Sequence, residues 1–134
     1  MRTLIVEDDF LSRTMMLKMM SKYGDCDITV NGCEAVEAFR TALDSEERYD
    51  LICMDIIMPN VDGFEALKNI REIEKESNIS EQNATKIIMT TSLHEGRKVA
   101  KAFQLGCDAY AGKPIDRDKF VNTLRKMELI GSNE

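Results

Sequence analysis

Leu51-Ile52-Cys53-Met54-Asp55 is a run of four apolar residues closed by a single acid. So short and continuous an apolar stretch predicts a strand covered on both faces, as in a parallel sheet between two helix layers. Leu4-Ile5-Val6 repeats the pattern near the start and stops at Glu7, Asp8 and Asp9. Working outward, strands are predicted around Cys26 to Val30, Lys86 to Thr90 and Asp108 to Gly112. Helices are predicted at Phe10 to Lys22, after Asn31-Gly32 (carrying Ala35, Ala38, Phe39 and Ala42), Phe64 to Lys75, Glu95 to Leu105 and Asp116 to Glu128. The first helix carries apolar residues at 11, 15, 16, 19 and 20, with Asp9 as its N-cap. Pro59 to Gly63 is turn chemistry, and Ser77 to Thr85 reads as a polar loop with no assigned function. Alternating strands and single-helix crossovers give an α/β fold, a doubly wound five-stranded parallel sheet with helices on both faces.

At 134 residues the chain fits one domain, expected over 1–130 with a short disordered tail at 131–134. Hydrophobic residues make up 43% and charged residues 31%, a globular balance. Eighteen basic against twenty-four acidic side chains leave a net charge of -6, which argues against direct nucleic-acid binding and against a polybasic membrane anchor. The four cysteines lack CxxC spacing and only one histidine accompanies them, a poor supply for zinc. No window is apolar enough to span a bilayer, and a reduced cytoplasmic setting is the expectation.

In such a sheet ligands bind beyond the C-terminal strand ends, where this chain concentrates acids. If strands one and three are neighbours, Glu7, Asp8, Asp9 and Asp55 converge on one edge. Two carboxylates ~4 Å apart at an effective dielectric near 20 repel by about 4 kcal/mol, so such a cluster shares protons or binds a hard cation. Oxygen ligands with retained water suit Mg²⁺, with Mn²⁺ as the second choice. Taken alone, the same acids also read as a helix cap and two solvated loop residues. Thr91 and Ser92 end strand four and Lys113 ends strand five, so a hydroxyl and an ammonium reach the same edge. Together these are parts for handling a phosphoryl group, with Asp55 as the nucleophile.

Four stretches carry a family likeness: Leu4 to Asp9, Met54-Asp55-Ile56-Ile57-Met58-Pro59-Asn60-Val61-Asp62-Gly63, Ile87-Ile88-Met89-Thr90-Thr91-Ser92 and Gly106-Cys107-Asp108-Ala109-Tyr110-Ala111-Gly112-Lys113-Pro114. In order and spacing the chain resembles the CheY-like receiver domains of two-component response regulators over nearly its whole length. The resemblance implies strand order 2-1-3-4-5 and makes Asp55 the acceptor of a phosphoryl group from a phosphohistidine, borne by a sensor histidine kinase or a histidine phosphotransfer protein. It implies Mg²⁺ held by Asp8, Asp55 and the Ile57 carbonyl, with Glu7 acting through water. Thr91 and Lys113 would bind the phosphoryl oxygens, and the Lys113–Pro114 bond would be cis. Tyr110 would turn inward as Thr91 moves, changing the surface of helix four, strand five and helix five to bind a protein target.

Some positions depart from the pattern or extend it. The resemblance sets Ile57 and Leu93 at positions that border the path of hydrolytic water in receivers, and both are apolar, which predicts a long-lived phosphoryl group. Helix four presents Arg97, Lys98 and Lys101 opposite Val99, Ala102 and Phe103, either a solvated basic face or a dock for an acidic partner. Met15, Met16, Met19 and Met20 are too many for one narrow core stripe, so one or two are expected at the surface, beside helix one where the resemblance implies that a phosphodonor docks. His94 reads as an ordinary surface residue. The expected function is a phosphorylation-controlled switch with no output domain of its own, about six residues remaining after the last helix. A phosphorelay intermediate is the alternative. An aspartate-nucleophile phosphohydrolase would need a second aspartate where Ile57 stands. A flavodoxin-like electron carrier would need a hydroxyl- or glycine-rich loop where Glu7 to Asp9 stand.

Overall fold

Each of the five strands ends where a loop carries polar residues to the same edge, and the sheet is built around that edge. The computed structural model describes residues 1–58, 62–92 and 96–132. Leu93, His94, Glu95, the Pro59–Val61 part of the expected turn, and the last two residues of the expected tail lie outside that range. In chain order the elements are β1 (Arg2–Val6), α1 (Phe10–Met20), β2 (Asp25–Thr29), α2 (Gly32–Asp44), β3 (Leu51–Asp55), α3 (Gly63–Glu76), β4 (Lys86–Thr91), α4 (Gly96–Gln104), β5 (Ala109–Gly112) and α5 (Arg117–Lys126). The sheet is parallel throughout in the order β2-β1-β3-β4-β5. The expected doubly wound architecture is therefore the one observed.

Period-two alternation splits the strands between two cores. Leu4, Val6, Ile52, Met54, Ile87 and Met89 face one side, with Phe39 of α2, Leu67 and Ile70 of α3 and Ala102 of α4. Ile5, Leu51, Cys53 and Ile88 face the other, with Met16 and Met20 of α1 and Phe120, Val121 and Leu124 of α5. Every residue of β3 is buried, whereas the edge strands β2 and β5 have none. Side-chain oxygens of Asp9, Asn31, Asp62 and Asp116 each accept a backbone N–H in the first turn of the following helix.

Three expectations need correction. The apolar stripe of α1 is wider than its contact with the sheet. Met16 and Met20, one turn apart, are buried, whereas Phe10 and Leu11 are 71% and 67% exposed; Met15, at 56%, is at the surface as expected of one or two of the four methionines. On α4, Phe103 is 48% exposed rather than inward, while Lys101 is exposed and its ammonium lies 4.6 Å over the Phe64 ring. Three helices, α1, α4 and α5, also stop one or two residues earlier than periodicity suggests. The chain leaves α1 through a 3₁₀ turn at Ser21–Tyr23. After α5, Glu128 takes a left-handed φ of 60° while the Leu129 N–H bonds back to the Leu124 carbonyl.

The loop after α3 contains a 3₁₀ turn (Glu81–Asn83) and anchors an ion network invisible in sequence. Arg71 bonds Glu74 at 2.6 Å, Asp108 at 2.9 Å, and the carbonyls of Thr85 and Gly106 at 2.8 Å each. Glu74 also accepts the Thr85 N–H and Asp108 the Ile87 N–H. Asp108 is thus occupied just before β5, which begins at Ala109.

Candidate functional site

The β1, β3, β4 and β5 ends place their polar residues together because strand register puts Asp55 level with Thr90 and Thr91 level with Gly112. Glu7, Asp8 and Asp55 each offer one oxygen within 4.8 Å of the others. Glu7 and Asp55 are buried and Asp8 is exposed, so the cluster has an inner wall and a solvent-facing mouth. Its oxygen-only donor set fits a hard divalent cation that keeps part of its water.

Lys113 closes the inner wall. Its ammonium lies 2.9 Å from both Glu7 carboxylate oxygens and 3.0 Å from Asp55 Oδ2. Burial raises the Glu7 pKa, and the neighbouring Asp55 charge adds to the rise against the lowering hydrogen bond from Lys113. Burial pulls the Lys113 pKa down, but its bonds to Glu7 and Asp55 outweigh that and the net direction is upward. An ammonium among carboxylates at the end of β5 therefore stays charged. The Lys113 N–H bonds the Thr91 carbonyl at 2.8 Å, and the Lys113–Pro114 peptide is cis.

Backbone contacts hold the acids. The Asp9 N–H reaches Glu7 Oε1 at 3.3 Å, and the Ile57 N–H reaches Asp55 Oδ1 at the same distance. Arg13 of α1 donates to the carbonyls of Glu7 and Asp8 at 3.3 and 3.4 Å. Thr91 is buried at the end of β4, and Tyr110 of β5 is half-buried. The Ile57 side chain is half exposed, and Leu93 lies outside the described residues. Asp9 stands apart from the cluster, its carboxylate accepting the Ser12 N–H at 2.9 Å.

Gly63 was legible only as a turn residue. A Cβ there would fall 2.3 Å from the Asp55 carbonyl oxygen and 2.7 Å from Ile56 Cα, so α3 can start against the end of β3 only with glycine. Arg13 was likewise missed, because a lone arginine in a helical pattern has no local signal for contacts to the preceding loop.

In parallel α/β sheets ligands bind beyond the C-terminal strand ends, the edge where these three carboxylates and the Lys113 ammonium meet. Residues 3–125 match the family model of the response regulator receiver domain, and the chain belongs to that family. It is 35% identical over 92% of its length to probable histidine kinase 2 of Oryza sativa subsp. indica, and it spans only 12% of that protein. It is 31% identical to the chemotaxis protein CheY of Halobacterium salinarum, covering 92% of both chains. Among solved structures it resembles the receiver domain of Saccharomyces cerevisiae Ssk1, crystallised with the histidine phosphotransfer protein Ypd1 (TM-score 0.80, 26% identity, 98% and 93% of the two chains). It also resembles the receiver domain of the Arabidopsis thaliana histidine kinase CKI1, complexed with Mg²⁺ and BeF3⁻ (TM-score 0.77, 27% identity, 96% and 90%). Receivers are phosphoacceptor switches of two-component signalling rather than conventional enzymes. No helix among the described residues is long and apolar enough to cross a membrane.

Proposed function

We propose that residues 1–130 form a receiver that takes a phosphoryl group onto Asp55 from a phosphohistidine and changes its α4–β5–α5 surface in response. The observation that carries this reading is the meeting of Glu7, Asp8 and Asp55 oxygens within 4.8 Å beside the Lys113 ammonium. An Asp55 carboxylate oxygen attacks phosphorus, the P–O bond forms as the P–N bond breaks, and the imidazole nitrogen leaves with the electron pair. Asp8, Asp55 and the Ile57 carbonyl would hold Mg²⁺ directly and Glu7 through water, with Mn²⁺ as an alternative ion. The bound cation would neutralise charge on the transferred oxygens. Lys113 binds one of those oxygens and Thr91 another.

The new group carries up to two negative charges and three acceptor oxygens. Thr91 moves toward it, and Tyr110 follows into the space released. Phe103 and the basic residues Arg97, Lys98 and Lys101 lie on the surface that then changes. The exposed side chains of Leu11 and Met15 line the same cleft as Glu7 and Lys113, and with the exposed Phe10 at the start of α1 they suit docking of a phosphodonor.

A relay role, passing the phosphoryl group onward, is the second reading, favoured by likeness to receiver domains that are parts of histidine kinases. Intact-mass measurement after incubation with acetyl phosphate and Mg²⁺ tests the first reading. Wild type gains one phosphoryl group and Asp55→Ala gains none; an unmodified wild type overturns the proposal. Return of the label to a purified histidine phosphotransfer domain distinguishes relay from terminal switch.

A further inference from the structure

Two contacts fix how α3 and α4 meet. The Lys101 ammonium of α4 lies 4.6 Å over the Phe64 ring in the first turn of α3, and Arg71 of α3 donates to the Gly106 carbonyl at 2.8 Å just past the end of α4. Phe64, Lys68, Arg71 and Lys75 follow one another at helical spacing, so between those contacts α3 turns one face toward α4. Lys68 therefore stands in the seam between the two helices. Arg97, one turn before Lys101, and Lys98 bring further charges of α4 to the same side.

This seam is cationic on a protein of net charge -6. Lys68, Lys75, Arg97 and Lys101 are exposed, and Lys98 is half-buried. Among the described residues none of the five forms an ion pair. Arg71 differs, its guanidinium being bonded to Glu74 and Asp108. Glu65 and Glu72 stand beside Lys68 at helical spacing, so the five cations face two carboxylates and the seam stays positive. Like charges held together repel one another, and a partner of opposite charge relieves that cost.

We propose that the α3–α4 seam docks an acidic polypeptide segment of a protein partner, its carboxylates meeting Lys68, Arg97 and Lys101 around the Phe64 ring. A short acidic segment fits better than a nucleic acid, because the protein's overall negative charge repels a long polyanion. As a signalling output the seam rests on the receiver function proposed for Asp55, since α4 belongs to the surface given to the response. The docking itself needs only these charges in place.

A deca-glutamate peptide titrated into unphosphorylated ¹⁵N-labelled protein tests this. Saturable amide shifts are expected at Lys68, Arg97 and Lys101. Lys68→Glu combined with Arg97→Glu leaves the Lys101–Phe64 contact intact and is expected to weaken peptide binding roughly tenfold. Lys18→Glu combined with Lys22→Glu reverses an exposed basic pair at the far end of α1 and is expected to change the affinity by less than about twofold. Equal loss in the two double variants, absence of saturable shifts at the seam, or tighter binding of decathymidylate than of the peptide overturns the proposal. The protein carries no phosphoryl group in this titration, so failure of Asp55 to accept one would leave the outcome unaffected.

Discussion

The Lys113 ammonium bonds both carboxylate oxygens of Glu7 at 2.9 Å, and the same nitrogen reaches Asp55. One cation therefore already occupies the charge field that a divalent ion would enter. Two unit charges 4 Å apart exchange about 4 kcal/mol at an effective dielectric near 20. Recovering even a third of that, ~1.4 kcal/mol, is a tenfold change in affinity. Lys113→Met is expected to bind Mg²⁺ about tenfold more tightly while taking up phosphoryl groups from acetyl phosphate far more slowly. Calorimetric titration with Mg²⁺ beside intact-mass time courses checks both. Unchanged Mg²⁺ affinity would show that Lys113 and the cation do not compete.

The half-exposed Ile57 side chain offers no hydrogen bond to water approaching Asp55. Ile57→Asn combined with Leu93→Glu supplies polar groups at the two positions that the receiver resemblance sets beside that approach. Loss of the phosphoryl group is expected to accelerate roughly tenfold or more, since a positioned polar group orients the attacking water. Decay followed by mass after removal of donor gives the rate, and identical decay in wild type and double variant excludes the idea.

The apolar runs ending in acids were enough to read the sheet, because a doubly covered strand has almost no polar positions to confuse its pattern. The same runs located Glu7, Asp8 and Asp55, since strand ends dictate where those side chains emerge. What sequence did not reveal depended on partners distant along the chain. Leu11 fits a helical stripe, yet its exposure follows from how little of α1 the sheet covers. Gly63 needed the position of the Asp55 carbonyl, and Arg71 needed the simultaneous approach of Glu74, Thr85, Gly106 and Asp108.

That Arg71 cluster has a direct stability consequence. Glu74 is buried, and its carboxylate is shared between Arg71 and the Thr85 N–H. Removing the guanidinium leaves a buried charge with half its partners. Arg71→Met is expected to destabilise the fold by ~2–3 kcal/mol, discounted from fully buried pairs because Arg71 retains some exposure. Arg71→Met with Glu74→Gln removes the charge and keeps an acceptor for Thr85, so at least about half the loss is expected to return. Urea unfolding of the three proteins checks the order; a double variant no more stable than Arg71→Met would place the cost elsewhere.

At the opposite edge, the Tyr49 hydroxyl donates to Asp27 Oδ2 at 2.6 Å, and the Arg2 guanidinium pairs with the same oxygen at 2.8 Å while lying over the Tyr49 ring. Burial first, then the hydrogen bond to the Asp27 carboxylate, pushes the Tyr49 pKa up to about 12 despite Arg2. An unfolded tyrosine titrates near ~10, so between these values the native state holds a proton that the unfolded state has lost. The contribution is complete below pH ~10 and disappears as pH rises through about 12. Wild type is therefore expected to lose stability across that window, and Tyr49→Phe to follow a flatter curve there. Phenolate absorbance in wild type minus that in Tyr49→Phe isolates the residue's titration. A difference curve centred near 10 would mean that the Asp27 contact does not hold the proton.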